Sequence, residues 1–148
     1  MTEKIITVFP DTSLVEAAQI LAENKFDGVP VIDPDGKLVG ILTQYDLVSK
    51  SLAIHLPTFQ TILENLSVLK KNKAQFQQEF GEITSLRVKD VMNTDPLILS
   101  EEATFEEVVA AFRDHHRVNP IPVINKENRV VGVVSRFDVL KPLSLLKN

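Results

Sequence analysis

Val29-Pro-Val-Ile-Asp-Pro-Asp-Gly-Lys-Leu-Val-Gly-Ile-Leu-Thr-Gln-Tyr-Asp46 returns 92 residues later as Ile121-Pro-Val-Ile-Asn-Lys-Glu-Asn-Arg-Val-Val-Gly-Val-Val-Ser-Arg-Phe-Asp138. Pro30/Pro122, Val31/Val123, Ile32/Ile124, Val39/Val131, Gly40/Gly132 and Asp46/Asp138 are identical, and Thr43/Ser135 and Tyr45/Phe137 keep their chemistry. Upstream, Ser13 to Leu21 matches Thr104 to Phe112 at an offset of 91, so one residue was gained or lost before Pro122. Self-similarity at a fixed offset marks a duplicated structural unit.

Local signals read alike in both copies. A short apolar run (Ile5 to Val8; Leu97 to Leu99) predicts a strand. Ser13 or Thr104, followed three residues later by Glu16 or Glu107, predicts a helix opened by a capping box. Leu14, Ala17, Ala18 and Leu21, like Phe105, Val108, Val109 and Phe112, recur at helical spacing and form the buried face. The β-branched runs Val29 to Ile32 and Leu38 to Leu42 then flank Asp33-Pro-Asp-Gly36, a hairpin whose glycine takes positive φ. Asn125-Lys-Glu-Asn128 fills the same turn in the second copy. A second helix starts at Thr43 or Ser135. The fold class is α+β: two β-α-β-β-α repeats, each too small to bury its sheet alone, packed about a pseudo-twofold axis.

The boundaries that follow are 1–50 for the first repeat, 51–86 for a helical insertion and 87–148 for the second repeat. Within the insertion Phe59, Ile62, Leu63, Leu66 and Leu69, then Phe76, Phe80 and Ile83, sit at helical spacing around Lys70-Lys-Asn-Lys73. One or two amphipathic helices follow, either a connector packed on its own module or a surface for a partner or second copy.

Composition narrows the function. With 148 residues, 44% hydrophobic and 24% charged, the chain is long enough to bury a substantial core. A net charge of -4 supplies no basic field for nucleic acid, and one Tyr, eight Phe and no Trp leave few stacking platforms. No apolar run is long enough to span a bilayer, and Met1-Thr2-Glu3-Lys4 lacks the layout of a signal peptide. The absence of cysteine excludes thiolate chemistry and suits a cytoplasmic location. His115-His116 point about 100° apart on a helix with no third ligand, which argues against a metal. Neither a nucleophile elbow nor a glycine-rich phosphate loop is present, so no enzyme and no catalytic cofactor are expected.

Two β-α-β-β-α units, each with Val/Ile-Pro-Val-Ile and then Gly-h-h-Thr/Ser-x-x-Asp (h apolar), resemble the cystathionine-β-synthase (CBS) domain family, whose domains pair as a Bateman module. Val88-Lys-Asp-Val-Met92 resembles the family's lead-in, and because Met92 aligns with Met1 the first copy lacks its own. That pattern is expected either of a protein that begins abruptly or of a fragment cut from a longer chain in which this module regulates something else.

Thr43-x-x-Asp46 and Ser135-x-x-Asp138 carry two readings. Hydroxyl and carboxylate at a helix start can cap orphan N–H groups. Equally, a carboxylate can accept both vicinal hydroxyls of a ribose, and a hydroxyl at a helix N-terminus suits a phosphate. The resemblance implies the latter, with adenosine-type ligands (AMP, ADP, ATP or S-adenosylmethionine) in clefts between the copies. It further implies that Phe26, Asp27 and Gly28, and Val118, Asn119 and Pro120, wall the adenine. Ile41 and Val133 would add apolar contact, and Thr7 a hydroxyl to the base. Arg136 meets a phosphate or stays solvated. The module would then report occupancy to a fused or associated effector and act as a homodimer. The rival expectation is a ligand-independent dimerisation and protein-interaction module.

Overall fold

The computed structural model describes residues 5–50 and 85–144. The helices expected over 51–86 thus lie outside the described residues, apart from Ser85 and Leu86. The first copy contributes α1 (Leu14–Asn24), β1 (Gly28–Ile32), β2 (Leu38–Thr43) and α2 (Gln44–Lys50). After a 3-10 turn at Val88–Asp90, the second contributes β3 (Leu99–Ser100), α3 (Phe105–Asp114), β4 (Ile121–Ile124), β5 (Val130–Val134) and α4 (Arg136–Ser144).

Helix α1 starts where the Glu16 N–H donates to Ser13 Oγ at 3.1 Å. It buries Leu14, Ala17, Ala18 and Leu21 along one face, as their spacing requires. It stops in a Schellman arrangement: Lys25 adopts the left-handed conformation (φ 54°) and Phe26 N–H returns to the Leu21 carbonyl at 3.0 Å. Helix α3 carries the full expected capping box between Thr104 and Glu107, with both bonds made, at 2.9 and 3.2 Å. At Ser13/Glu16 only the serine half forms. Ser13 is instead held in an antiparallel bridge to Arg87.

One strand differs from its sequence expectation. The run Ile5 to Val8 is reduced to a single parallel bridge, Val8 to Val31. Pro10 supplies no N–H to continue a ladder, and the Phe9 N–H turns back to Thr12 Oγ1 at 3.0 Å. In the second copy β3 lies two residues later than its expected start, parallel to β4.

The hairpins β1–β2 and β4–β5 share a register: Gly28 pairs with Thr43 and Val31 with Gly40, just as Val123 pairs with Gly132, and each has a bulge before its last pair. Both turns place a left-handed residue at the same position, Gly36 (φ 83°) and Asn128 (φ 64°). The turns also join the copies. Leu38 N–H donates to the Asn128 carbonyl at 3.0 Å, and Val130 N–H to the Gly36 carbonyl at 3.3 Å. Since 36 and 128, and 38 and 130, are equivalent positions, exchanging the copies maps one bond onto the other. That is the pseudo-twofold axis, and it passes between Lys37 and Arg129.

Two cores flank the axis. The first gathers Leu14, Leu21, Val29, Val31 and Leu42, completed by Val88 and Val91. Residues 86–92, next to the second copy in sequence, therefore seal the first copy. Leu14 is 2% exposed beneath them, whereas its equivalent Phe105 is 53% exposed. Phe112, Ile121, Val123 and Val134 form the second core.

Candidate functional site

Each second helix opens with a reciprocal cap. Asp46 Oδ2 accepts from Thr43 N–H at 3.1 Å and Thr43 Oγ1 at 2.9 Å, while Asp46 N–H donates back to Thr43 Oγ1 at 3.1 Å. Asp138 Oδ2 likewise accepts from Ser135 N–H at 2.8 Å and Ser135 Oγ at 3.2 Å. Its other oxygen, Oδ1, accepts from Lys141 Nζ at 3.0 Å. The capping geometry is thus realised in both copies, and each hydroxyl proton is committed to its own carboxylate.

Both carboxylates nevertheless border a cavity at the junction of the copies. In one, of about 200 Å³, Ile41, Thr43 and Asp46 face Val118, Asn119 and Pro120. In the other, of about 350 Å³, Val133, Ser135 and Asp138 face Phe26, Asp27, Gly28 and Pro120. Each is a crossed assembly, with the Thr/Ser-x-x-Asp of one copy set against the wall of the other. Gly28 is required at this junction: a Cβ there would meet Pro120 Cδ and Thr43 Cγ2, both at 2.9 Å. The Asn119–Pro120 peptide is cis. The equivalent residues Asp27 and Asn119 meet on the axis, Asn119 Nδ2 donating to Asp27 Oδ2 at 2.7 Å.

Two expected site residues lie elsewhere. Thr7 lines neither cavity; its neighbour Ile6 lines the larger one. Arg136 is turned away from both: its guanidinium donates to the carbonyls of His115, His116 and Val118 at the end of α3 and lies over Phe112, 5.5 Å from the ring centre. A cation there complements the helix C-terminus and fixes the wall segment. Gln44 does the same in the first copy through Nε2 to the Phe26 carbonyl at 3.1 Å. The wall segments also use the first N–H of each second helix: Gln44 N–H donates to the Asp27 carbonyl at 2.9 Å and Arg136 N–H to Asn119 Oδ1 at 3.0 Å.

Other lining residues escape a reading of the repeat alone. The lead-in adds Asn93, Pro96 and Leu97 to the smaller cavity, where Arg117 Nη1 donates to the Tyr45 hydroxyl at 3.3 Å across the two copies. The larger cavity adds Lys25, Phe137 and Lys141. Lys25 and Arg117 are 92 residues apart, the offset of the repeat, which is the signal that would have paired them.

Burial works to raise the Asp138 carboxyl, but the Ser135 N–H bond and the Lys141 ammonium outweigh it and hold its pKa below the ordinary 3.8. Among the described residues no cluster of His, Asp and Glu could hold a metal, and no helix is long and apolar enough to cross a membrane.

Fold and clefts together define a tandem α+β module with paired cavities between its halves. The CBS domain family model matches residues 1–53 and 88–145, and the chain belongs to that family as a tandem pair. The uncharacterized protein MJ1426 of Methanocaldococcus jannaschii is 26% identical over 147 residues, covering 95% of this chain and 87% of that one. The 5'-AMP-activated protein kinase subunit gamma-3 of Sus scrofa is 31% identical over 137 residues, covering 92% of this chain; the match spans 23% of the kinase subunit. The crystal structure of Arabidopsis thaliana CBSX2 in complex with AMP shares the fold, with a TM-score of 0.68 at 24% identity, covering 97% of this chain and 90% of that one.

Proposed function

We propose that this chain is a regulatory module that holds an adenine nucleotide or related adenosyl ligand between its CBS repeats and transmits occupancy to an attached or associated effector. The observation that carries this reading is the crossed construction of both cavities, each taking its acidic residue from one copy and its wall from the other. A ligand seated there touches both copies, so its binding energy depends on their relative arrangement. Only such a difference in affinity between arrangements can shift a population. The larger cavity, at about 350 Å³, falls within the range of small-molecule sites, roughly 300–1,000 Å³, and is the primary seat. A carboxylate has about four acceptor positions. Asp138 uses three of them, two on Oδ2 and one on Oδ1, which leaves capacity on Oδ1 for a ribose hydroxyl. The AMP held by a protein of the same fold and the kinase gamma subunit among the relatives support an adenine ligand.

No catalytic role is proposed, and the cysteine-free sequence suits a cytoplasmic setting. Calorimetric titration with AMP, ADP, ATP and S-adenosylmethionine tests the reading; saturable binding of at least one is expected, and absence of heat with all four overturns it.

One observation favours a second role alongside the first. Tyr45 and Val48 on α2, and their equivalents Phe137 and Leu140 on α4, are exposed large apolar side chains. They form a pair of like faces suited to a homodimer. Light scattering with and without nucleotide separates the roles: assembly indifferent to every nucleotide, with no binding, leaves an interaction module only.

A further inference from the structure

Residues 86–92 run along the start of α1 and bury it. Leu14 N–H donates to the Leu86 carbonyl, Val88 N–H to the Thr12 carbonyl and Lys89 N–H to the Pro10 carbonyl, each at 2.9 Å. Val88 and Val91 pack with Val8, Leu14, Ala17 and Leu47, all of them buried. Asp11 holds both cations of this stretch: its carboxylate accepts from Lys89 Nζ at 2.9 Å and its carbonyl from Arg87 Nη1 at 3.2 Å.

The equivalent face of the second copy is open. Leu99, Phe105, Val108 and Val139 stand at the positions of Val8, Leu14, Ala17 and Leu47, and with Ala103 they line a groove of about 280 Å³. Phe105 is exposed, and Leu99, Val108 and Val139 are only half-buried. The backbone groups that receive 86–92 in the first copy have equivalents here in the Phe105 N–H and the Ala103 and Glu101 carbonyls. None of these three has a partner among the described residues.

Charge follows the same plan. Glu102 stands where Asp11 does, and Glu101, which lines the groove, adds a second carboxylate. Glu102 reaches Lys126 only at 3.7 Å, and both side chains are largely in solvent, so the pair holds it weakly. An apolar floor, unpaired backbone groups along one edge and an acidic rim fit a segment that alternates Lys or Arg with branched apolar residues, the chemistry of Arg87-Val88-Lys89-Asp90-Val91.

We propose that this groove docks a basic-apolar segment of an effector chain in the manner in which residues 86–92 dock on the first copy. Asp138 lines both the groove and the larger cavity. The first turn of α4 is therefore common to the two sites, and a shift of that turn alters both affinities together. The coupling rests on the nucleotide reading above; the docking does not.

The probe is a capped synthetic peptide with the sequence of Leu86–Met92, titrated into the isotope-labelled full chain and followed by two-dimensional NMR, with and without AMP. Wild type, Phe105→Gln and Glu102→Lys are compared; both replaced side chains are exposed, so both variants are expected to melt like wild type. Wild type should show saturable shifts at the amides of residues 99–108 and 136–139. Each variant should weaken the peptide about tenfold. A peptide carrying Arg87→Glu and Lys89→Glu should recover affinity for Glu102→Lys. AMP should change the peptide's affinity, and the peptide should change that of AMP by the same factor. No saturable shifts, or shifts centred on residues 8–17 and indifferent to both variants, overturn the docking. Peptide affinity indifferent to bound AMP overturns the coupling alone, and peptide binding to a chain that binds no AMP overturns the nucleotide reading while the docking stands.

Discussion

Replacing Asp138 by Asn separates the two jobs that the carboxylate performs. Asn keeps an oxygen able to accept the Ser135 N–H bond, now 2.8 Å long, so the cap survives in form. What disappears is the negative charge, and with it the ion pair to Lys141 at 3.0 Å and the favourable interaction with the α4 N-terminus. The Lys141 side chain is 75% exposed, so solvent screens the pair and its share is small. Together these changes amount to about 0.5–1 kcal/mol of stability. For the ligand, loss of charge-assisted bonds to the ribose hydroxyls costs about 1.5–3 kcal/mol, or roughly 10–150-fold in affinity. Calorimetric AMP titration paired with chemical denaturation of the same samples reads both quantities. Asp138→Asn that folds with nearly wild-type stability and binds AMP as tightly as wild type would refute the reasoning, and the carboxylate would then be a cap alone.

Tyr45→Phe should release Arg117 from its 3.3 Å bond and make the smaller cavity resemble its partner; a second AMP equivalent in the titration is the expected readout, and unchanged stoichiometry contradicts it. Gly28→Ala forces a methyl to within 2.9 Å of Pro120 Cδ and Thr43 Cγ2. It should destabilise the junction by about 1–3 kcal/mol, measured by denaturant titration, because the contacting atoms belong to a rigid ring and a packed β-branched side chain. The acid limb of stability provides a third check. Asp138 is held below its ordinary 3.8 in the folded chain, so its contribution is present above that value and is lost as pH falls through the lower folded value. Stability measured below pH 4 should therefore fall less steeply in Asp138→Asn than in wild type; parallel curves would remove the carboxylate from the account.

The repeat made most of this architecture legible. Hairpin register, the left-handed turn positions and the caps on α1, α3 and the second helices are local, set by Gly36, Asn128, Ser13, Thr104, Thr43 and Ser135 with near neighbours in sequence. Both halves of each cleft were legible for the same reason, since each half is a contiguous motif. The crossing of those halves was not, because it depends on two bonds between turns 92 residues apart. Arg136 illustrates a second limit. Its neighbour Ser135 suggested a phosphate, but its guanidinium instead meets the carbonyls ending α3, which lie about 20 residues earlier and become adjacent only in the fold. Val8 illustrates a third: an apolar run reads as a strand, yet Pro10 and Thr12 end the pairing after one bridge. Lys25 and Arg117 escaped notice because each looks like an ordinary solvated cation until the cavities are seen.

Native mass spectrometry of the chain as purified, repeated after addition of AMP, measures the central claim most directly. The account calls for a complex heavier by the mass of one adenine nucleotide, and for that added mass to diminish in Asp138→Asn. A spectrum that shows only the unliganded protein under both conditions would contradict it.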